Sequence, residues 1–154
     1  METRKKTGLI LGAAAFFFLI FIGDFDPVKP QINTMAAMAI DINTQRPLLS
    51  HGSGGLSGNA LHPIAVKMVY DLYKVLKIPI IGCGGISTWK DVIEFFLAGC
   101  SAIQIGTILY QGFHKIDELK KGVVDYLKQN NYNSISELKG LAHKFNTQEV
   151  PDFD

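Results

Sequence analysis

Cysteine is scarce: Cys83 and Cys100 lie far apart with no CxxC pair. That spacing excludes the usual zinc sites and offers no disulfide framework, so two small buried thiols in a reducing compartment are expected. The four histidines, His51, His62, His114 and His143, are scattered, and no metal site is predicted. Charge is nearly balanced at +1, so the surplus of Lys and Arg that a nucleic-acid groove requires is missing. Low-complexity tracts and internal repeats are absent too. Neither G-x-G-x-x-G nor the P-loop lysine pattern occurs, which disfavours a Rossmann dinucleotide site or an NTPase.

What is present is the composition of a folded domain. The chain has 154 residues, 47% hydrophobic and 19% charged, enough for one domain with a core but not for two. The N-terminus stands apart. Gly8 to Gly23 reads GLILGAAAFFFLIFIG without a charge, directly after Arg4-Lys5-Lys6. A basic start before an apolar run is the grammar of a signal or membrane anchor, although this run is slightly short for a spanning helix. A buried helix or strand of the domain is the competing expectation. Asp24 to Pro30, DFDPVKP, reads as a linker. The expected organisation is therefore a leader and linker over 1–30, a domain over 31–145 and a tail over 146–154.

Downstream the pattern is orderly. A short run ends at Asn33 and Thr34; Met35 to Ile42 follows, then a Gly/Ser-rich loop from His51 to Gly58. A helix should start near Pro63 and present Ile64, Met68, Leu72 and Leu76 on one face. Ile78 to Ile81 reads as a short strand buried on both sides. Thr88 with Asp91 predicts a capped helix with Val92, Ile93, Phe96 and Leu97 inside and Gly99 as its stop. Ala102 to Ile105 is the next strand, and Leu119, Val123 and Leu127 are in register on a third helix. Ser134 with Glu137 opens a last short one. Strand, loop and helix repeated three times predict an α/β fold with a parallel sheet.

Two glycine loops, Gly82-Cys83-Gly84-Gly85 and Gly106-Thr107, each follow a buried strand. Glycine there admits positive φ and lets backbone N–H groups approach an anion, with a helix N-terminus behind. In (β/α)8 barrels, a ligand phosphate commonly sits between the loops after strands seven and eight, and two consecutive loops near the C-terminus fit that placement.

The residues of Ile32-Asn-Thr34, Met38-Ala-Ile-Asp41, Gly54-Gly-Leu-Ser-Gly58, Ile80 to Ser87 and Gln104-Ile-Gly-Thr107 together resemble one family, the dihydroorotate dehydrogenases. Within it they resemble the class 1 enzymes of the heteromeric, NAD-linked type. The resemblance runs over about Gln31 to Gly140 and implies the C-terminal part of a (β/α)8 TIM barrel, about three βα units; the apolar, helix-like segment that precedes it is not family-like. The resemblance implies FMN as cofactor, with Ile32 beside the flavin, Gly58 a backbone contact, and Gly84, Gly85, Gly106 and Thr107 cradling its phosphate. Asn33 and Thr34 would bind the pyrimidine in FMN-dependent oxidation of dihydroorotate to orotate, a step of pyrimidine biosynthesis.

The family's catalytic cysteine and its flavin-contacting lysines belong to the earlier half of the barrel, and neither Cys83 nor Cys100 matches that cysteine. No catalytic residue is assigned here, and the chain alone is expected to be inactive. The resemblance further implies a cytoplasmic protein with an FAD and iron–sulfur electron-transfer subunit as partner, and leaves a homo-oligomer open. The alternative is a membrane-tethered, non-catalytic flavin- or phosphate-binding module anchored through residues 8–23.

Overall fold

The computed structural model describes residues 18–20 and 34–145. Among these residues there are seven strands and three α-helices: β1 (Phe18–Ile20), β2 (Met35–Ala37), β3 (Ile40–Asp41), β4 (Arg46–Pro47), β5 (Gly54–Leu56), α1 (His62–Val75), β6 (Ile81–Cys83), α2 (Trp89–Ala98), β7 (Ala102–Ile105) and α3 (His114–Gln129). Short 3-10 turns at Asn59–Leu61, Thr107–Gln111, Ile135–Leu138 and Leu141–Lys144 join and close them.

The core is built around β6 and β7, which pair in parallel with Ile81 opposite Ala102 and Cys83 opposite Gln104. Both strands are apolar and buried nearly throughout, as strands of a covered parallel sheet are. Phe95 and Phe96 of α2 are sealed inside with Ile80, Ile103, Ile105 and Leu138. Gly82 has no side chain because the ring of Phe95 fills that place; a Cβ there would lie 2.5 Å from Cδ1 of the ring.

Helix α2 starts and stops where its sequence says. Thr88 and Asp91 form a reciprocal capping box, and Gly99, at φ 119°, ends the helix in the left-handed region. Thr88→Ala is expected to cost about 1 kcal/mol, read as a lower denaturation midpoint at unchanged slope. The same box opens the turn after Ser134, which is 3-10 rather than α-helical.

Other elements depart from expectation. β6 begins at Ile81 rather than Ile78, which is about half exposed, and it runs into what reads as a loop. Proline at 79 lacks the N–H a ladder needs, so pairing starts only beyond it. α1 buries Ala65 and Val69 instead of Ile64 and Met68, which are exposed. Its apolar stripe is wide, and the small Ala65 at its centre lets the helix approach Gly84 closely. Residues 34–58 are not a plain run and loop. β2 pairs antiparallel with β5, and β3 with β4.

Two of the expected βα units, β6–α2 and β7–α3, are complete among the described residues; α1 is the helix of the other, and the run ending at Asn33 lies outside them. The leader is corrected as well. Phe18–Ile20 is a strand, antiparallel to β7 with Phe18 opposite Ile105, so this part of residues 8–23 is not helical. A Phe-Leu-Ile segment suits an extended conformation, and pairing satisfies the otherwise open edge of β7. The rest of the leader, the linker and the tail lie outside the described residues. Among the described residues, no helix is long and apolar enough to cross a membrane.

Candidate functional site at the glycine loops

The register of β6 and β7 makes both glycine loops leave the same end of the sheet. Gly84 and Gly85 follow β6 at φ 126° and 68°, a region where L side chains are strained. Both positions are also tight. A Cβ on Gly84 would lie 3.0 Å from that of Ala65, and one on Gly85 would lie 2.5 Å from the backbone nitrogen of His62. These two glycines are therefore required by the fold itself, where α1 begins.

Gly106 differs. Its φ is −139°, and a Cβ built on it meets no protein atom within 4 Å. Gly58, at φ 91°, likewise faces open space. Gly106 and Gly58 each accept a turn hydrogen bond, from the N–H groups of Leu109 and Leu61, both at 2.9 Å. Thr107 is exposed beside Gly106. The space beside Gly106 and Gly58 is thus open, whereas Gly84 and Gly85 are closely packed.

The N-terminus of α2 is less available to an anion than the sequence suggests. The Asp91 carboxylate accepts the N–H of Ser87 at 2.8 Å and of Thr88 at 2.7 Å. The N–H groups of Ser87 and Thr88 are therefore not free for an anion at this end of the sheet.

Thr34 sits where β2 faces β5 and packs against Gly55, where a Cβ would strike its side chain. Asn33 and Ile32 lie outside the described residues. The sequence reading missed Asn59, His62, Ser87 and Glu94. The Ser87 hydroxyl hydrogen-bonds the Asn59 side chain, and His62 Nε2 lies 2.7 Å from Glu94 Oε2. The first links the Gly58 loop to the segment after Gly84–Gly85, and the second links the start of α1 to α2.

Both cysteines are inert by burial. Desolvation pushes the Cys83 thiol up to about 11 and that of Cys100 higher still. Neither should be alkylated at a measurable rate by iodoacetamide at pH 8 in the folded chain, and both should react once it is denatured. Among the described residues, no cluster of His, Cys, Asp and Glu could hold a metal ion.

Fold and loops define an α/β protein whose adjacent parallel strands end in glycine loops at one end of the sheet. The sequence model of the dihydroorotate dehydrogenase family matches residues 25–127, and the chain belongs to that family. It is 53% identical over 114 residues to the dihydroorotate dehydrogenase B (NAD(+)) catalytic subunit of Pyrococcus horikoshii, covering 73% of this chain and 38% of that protein. A catalytic subunit from Caldicellulosiruptor saccharolyticus is 53% identical over 109 residues, 71% of this chain and 36% of its own. Among solved structures, dihydroorotate dehydrogenase of Eimeria tenella in complex with ferulenol matches with a TM-score of 0.58 at 29% identity, over 71% of this chain and 30% of that one. The chain spans a little over a third of the length of these curated relatives.

Proposed function

We propose that this chain carries the FMN-phosphate end of a dihydroorotate dehydrogenase (β/α)8 barrel. The observation that supports the reading is the open space beside Gly106, at the same end of a parallel pair as the closely packed Gly84–Gly85 loop. The fit is that of an anion met by backbone donors, where a side chain at Gly106 would stand in the way. In this reading Gly84, Gly85, Gly106 and Thr107 hold the phosphate, and Gly58 offers its backbone to the rest of the flavin nucleotide. Ile32 lies beside the ring, and Asn33 and Thr34 orient the pyrimidine.

Bound FMN supplies the hydride-accepting chemistry, and the residues of this chain bind and orient. Neither Cys83 nor Cys100 is suited to act as the general base, because both thiols are buried and hard to ionise. Oxidation of dihydroorotate to orotate then requires the base-bearing part that the family places earlier in the barrel. The resemblance to NAD-linked catalytic subunits supports an electron-transfer subunit carrying FAD and an iron–sulfur cluster as partner, and a cytoplasmic setting.

The test is a titration of the purified 154-residue chain with FMN, followed by an assay with dihydroorotate. Saturable quenching of flavin fluorescence without orotate formation is expected. No binding at millimolar FMN would overturn the reading of the loops, and measurable turnover would overturn the statement about the base.

A further inference from the structure

The chemistry around His62 is not used by the reading above. Its side chain is 13% exposed, and Nε2 is its one polar hold, 2.7 Å from Glu94 Oε2 and 3.8 Å from Asp91 Oδ1. Nδ1 is buried with no hydrogen-bond partner among the described residues. The ring meets Phe95 edge-on at 5.3 Å between centroids. His62 is also the first residue of α1, and Leu61 before it provides no side-chain cap, so the helix start is held from the side.

Gly85 rests on the backbone of this same residue, close enough that a Cβ on Gly85 would lie 2.5 Å from its nitrogen and 2.7 Å from its Cα. The Gly84–Gly85 loop is thus fixed at three points. Gly82 is fitted to Phe95 at one end, and Asp91 holds Ser87 and Thr88 at the other. Between them lies the backbone of His62, at the start of a helix packed through Leu61 and Ala65, with the His62 side chain bonded to Glu94. The Asn59–Ser87 bond runs parallel to it, tying the Gly58 loop to the same segment.

We propose that His62 is a positioning residue: through Nε2 and Glu94 it anchors the start of α1 to α2, and so holds Gly85 where the ligand loop requires it. The role in ligand binding rests on the reading of Gly84 and Gly85 as the phosphate loop; the anchoring does not.

Amide hydrogen exchange on the full unliganded chain tests the anchoring. Glu94 is more than half exposed, so Glu94→Ala should leave the core intact while speeding exchange at Gly84 to Ile86 about three- to tenfold, with β7 and α3 unchanged. His62→Ala should do the same. His62→Gln, whose amide reaches as far as Nε2, should restore wild-type exchange, whereas the shorter His62→Asn should not. Unchanged loop exchange in Glu94→Ala, or failure of His62→Gln to rescue, would overturn the proposal even if His62→Ala failed to fold.

FMN titration of the same variants gives the second arm. Affinity should fall by a similar factor in Glu94→Ala and return in His62→Gln. If wild type ignores FMN while the exchange pattern holds, the phosphate reading fails and the anchoring stands. If FMN binds equally to all variants and exchange is unchanged, the anchoring fails alone.

Discussion

A Gly85→Val chain is expected to lose about 2–5 kcal/mol of folding stability and to melt far below wild type. Two costs add. A β-branched residue at φ 68° sits in the left-handed region, which costs ~1–2 kcal/mol. Its Cβ would also lie 2.5 Å from the backbone nitrogen of His62, and overpacking of this kind costs ~1–3 kcal/mol. The obstacle is backbone at the start of a helix, so no side chain can swing aside. Against a typical total of ~5–15 kcal/mol this is a large fraction. Urea unfolding followed by far-UV circular dichroism measures it; a midpoint within error of wild type would show that the loop is not built as described.

Gly106→Ala should behave in the opposite way. Nothing lies within 4 Å of a Cβ there and φ is −139°, so stability should stay within ~0.5 kcal/mol of wild type. FMN affinity, however, should fall about 10- to 100-fold. At the proposed site the added methyl group would stand between a phosphate and backbone donors, and one charge-assisted hydrogen bond is worth ~1.5–3 kcal/mol. Isothermal titration of the folded variant checks this. Unchanged affinity would move the phosphate elsewhere. The two glycines, alike in the sequence, thus separate into one required by packing and one left open to a ligand.

Much of this was legible in the sequence where the signals are local. The capping box of Thr88 and Asp91, the glycine stop at 99 and the apolar strand Ala102–Ile105 are each set within a few residues, and each appears where expected. The motif residues likewise pointed to the family that the comparisons show. What failed to show depends on partners distant in the chain. The pairing of Phe18–Ile20 with β7 joins residues more than eighty positions apart, and an apolar run alone does not choose between helix and strand.

The shift of the buried face of α1 has the same origin. Ala65 is inside because Gly84 lets the helix come close, and Ile64 beside it looks equally apolar in the sequence. The bond from Asn59 to Ser87 and the pair His62–Glu94 span 28 and 32 residues, and no spacing rule marks them. Polar residues flanking a glycine loop on both of the elements it joins are the signal that could have drawn attention to them.

If the loops after β6 and β7 recognise the phosphate of a flavin nucleotide, as proposed, the chain should bind FMN in preference to the same ring without phosphate. Comparing FMN with riboflavin, which carries the same ring and lacks the phosphate, tests it most directly. Equilibrium titration of the full chain with each should give FMN an affinity at least about tenfold higher, the minimum expected of one charge-assisted hydrogen bond. Equal affinity for the two would contradict the claim.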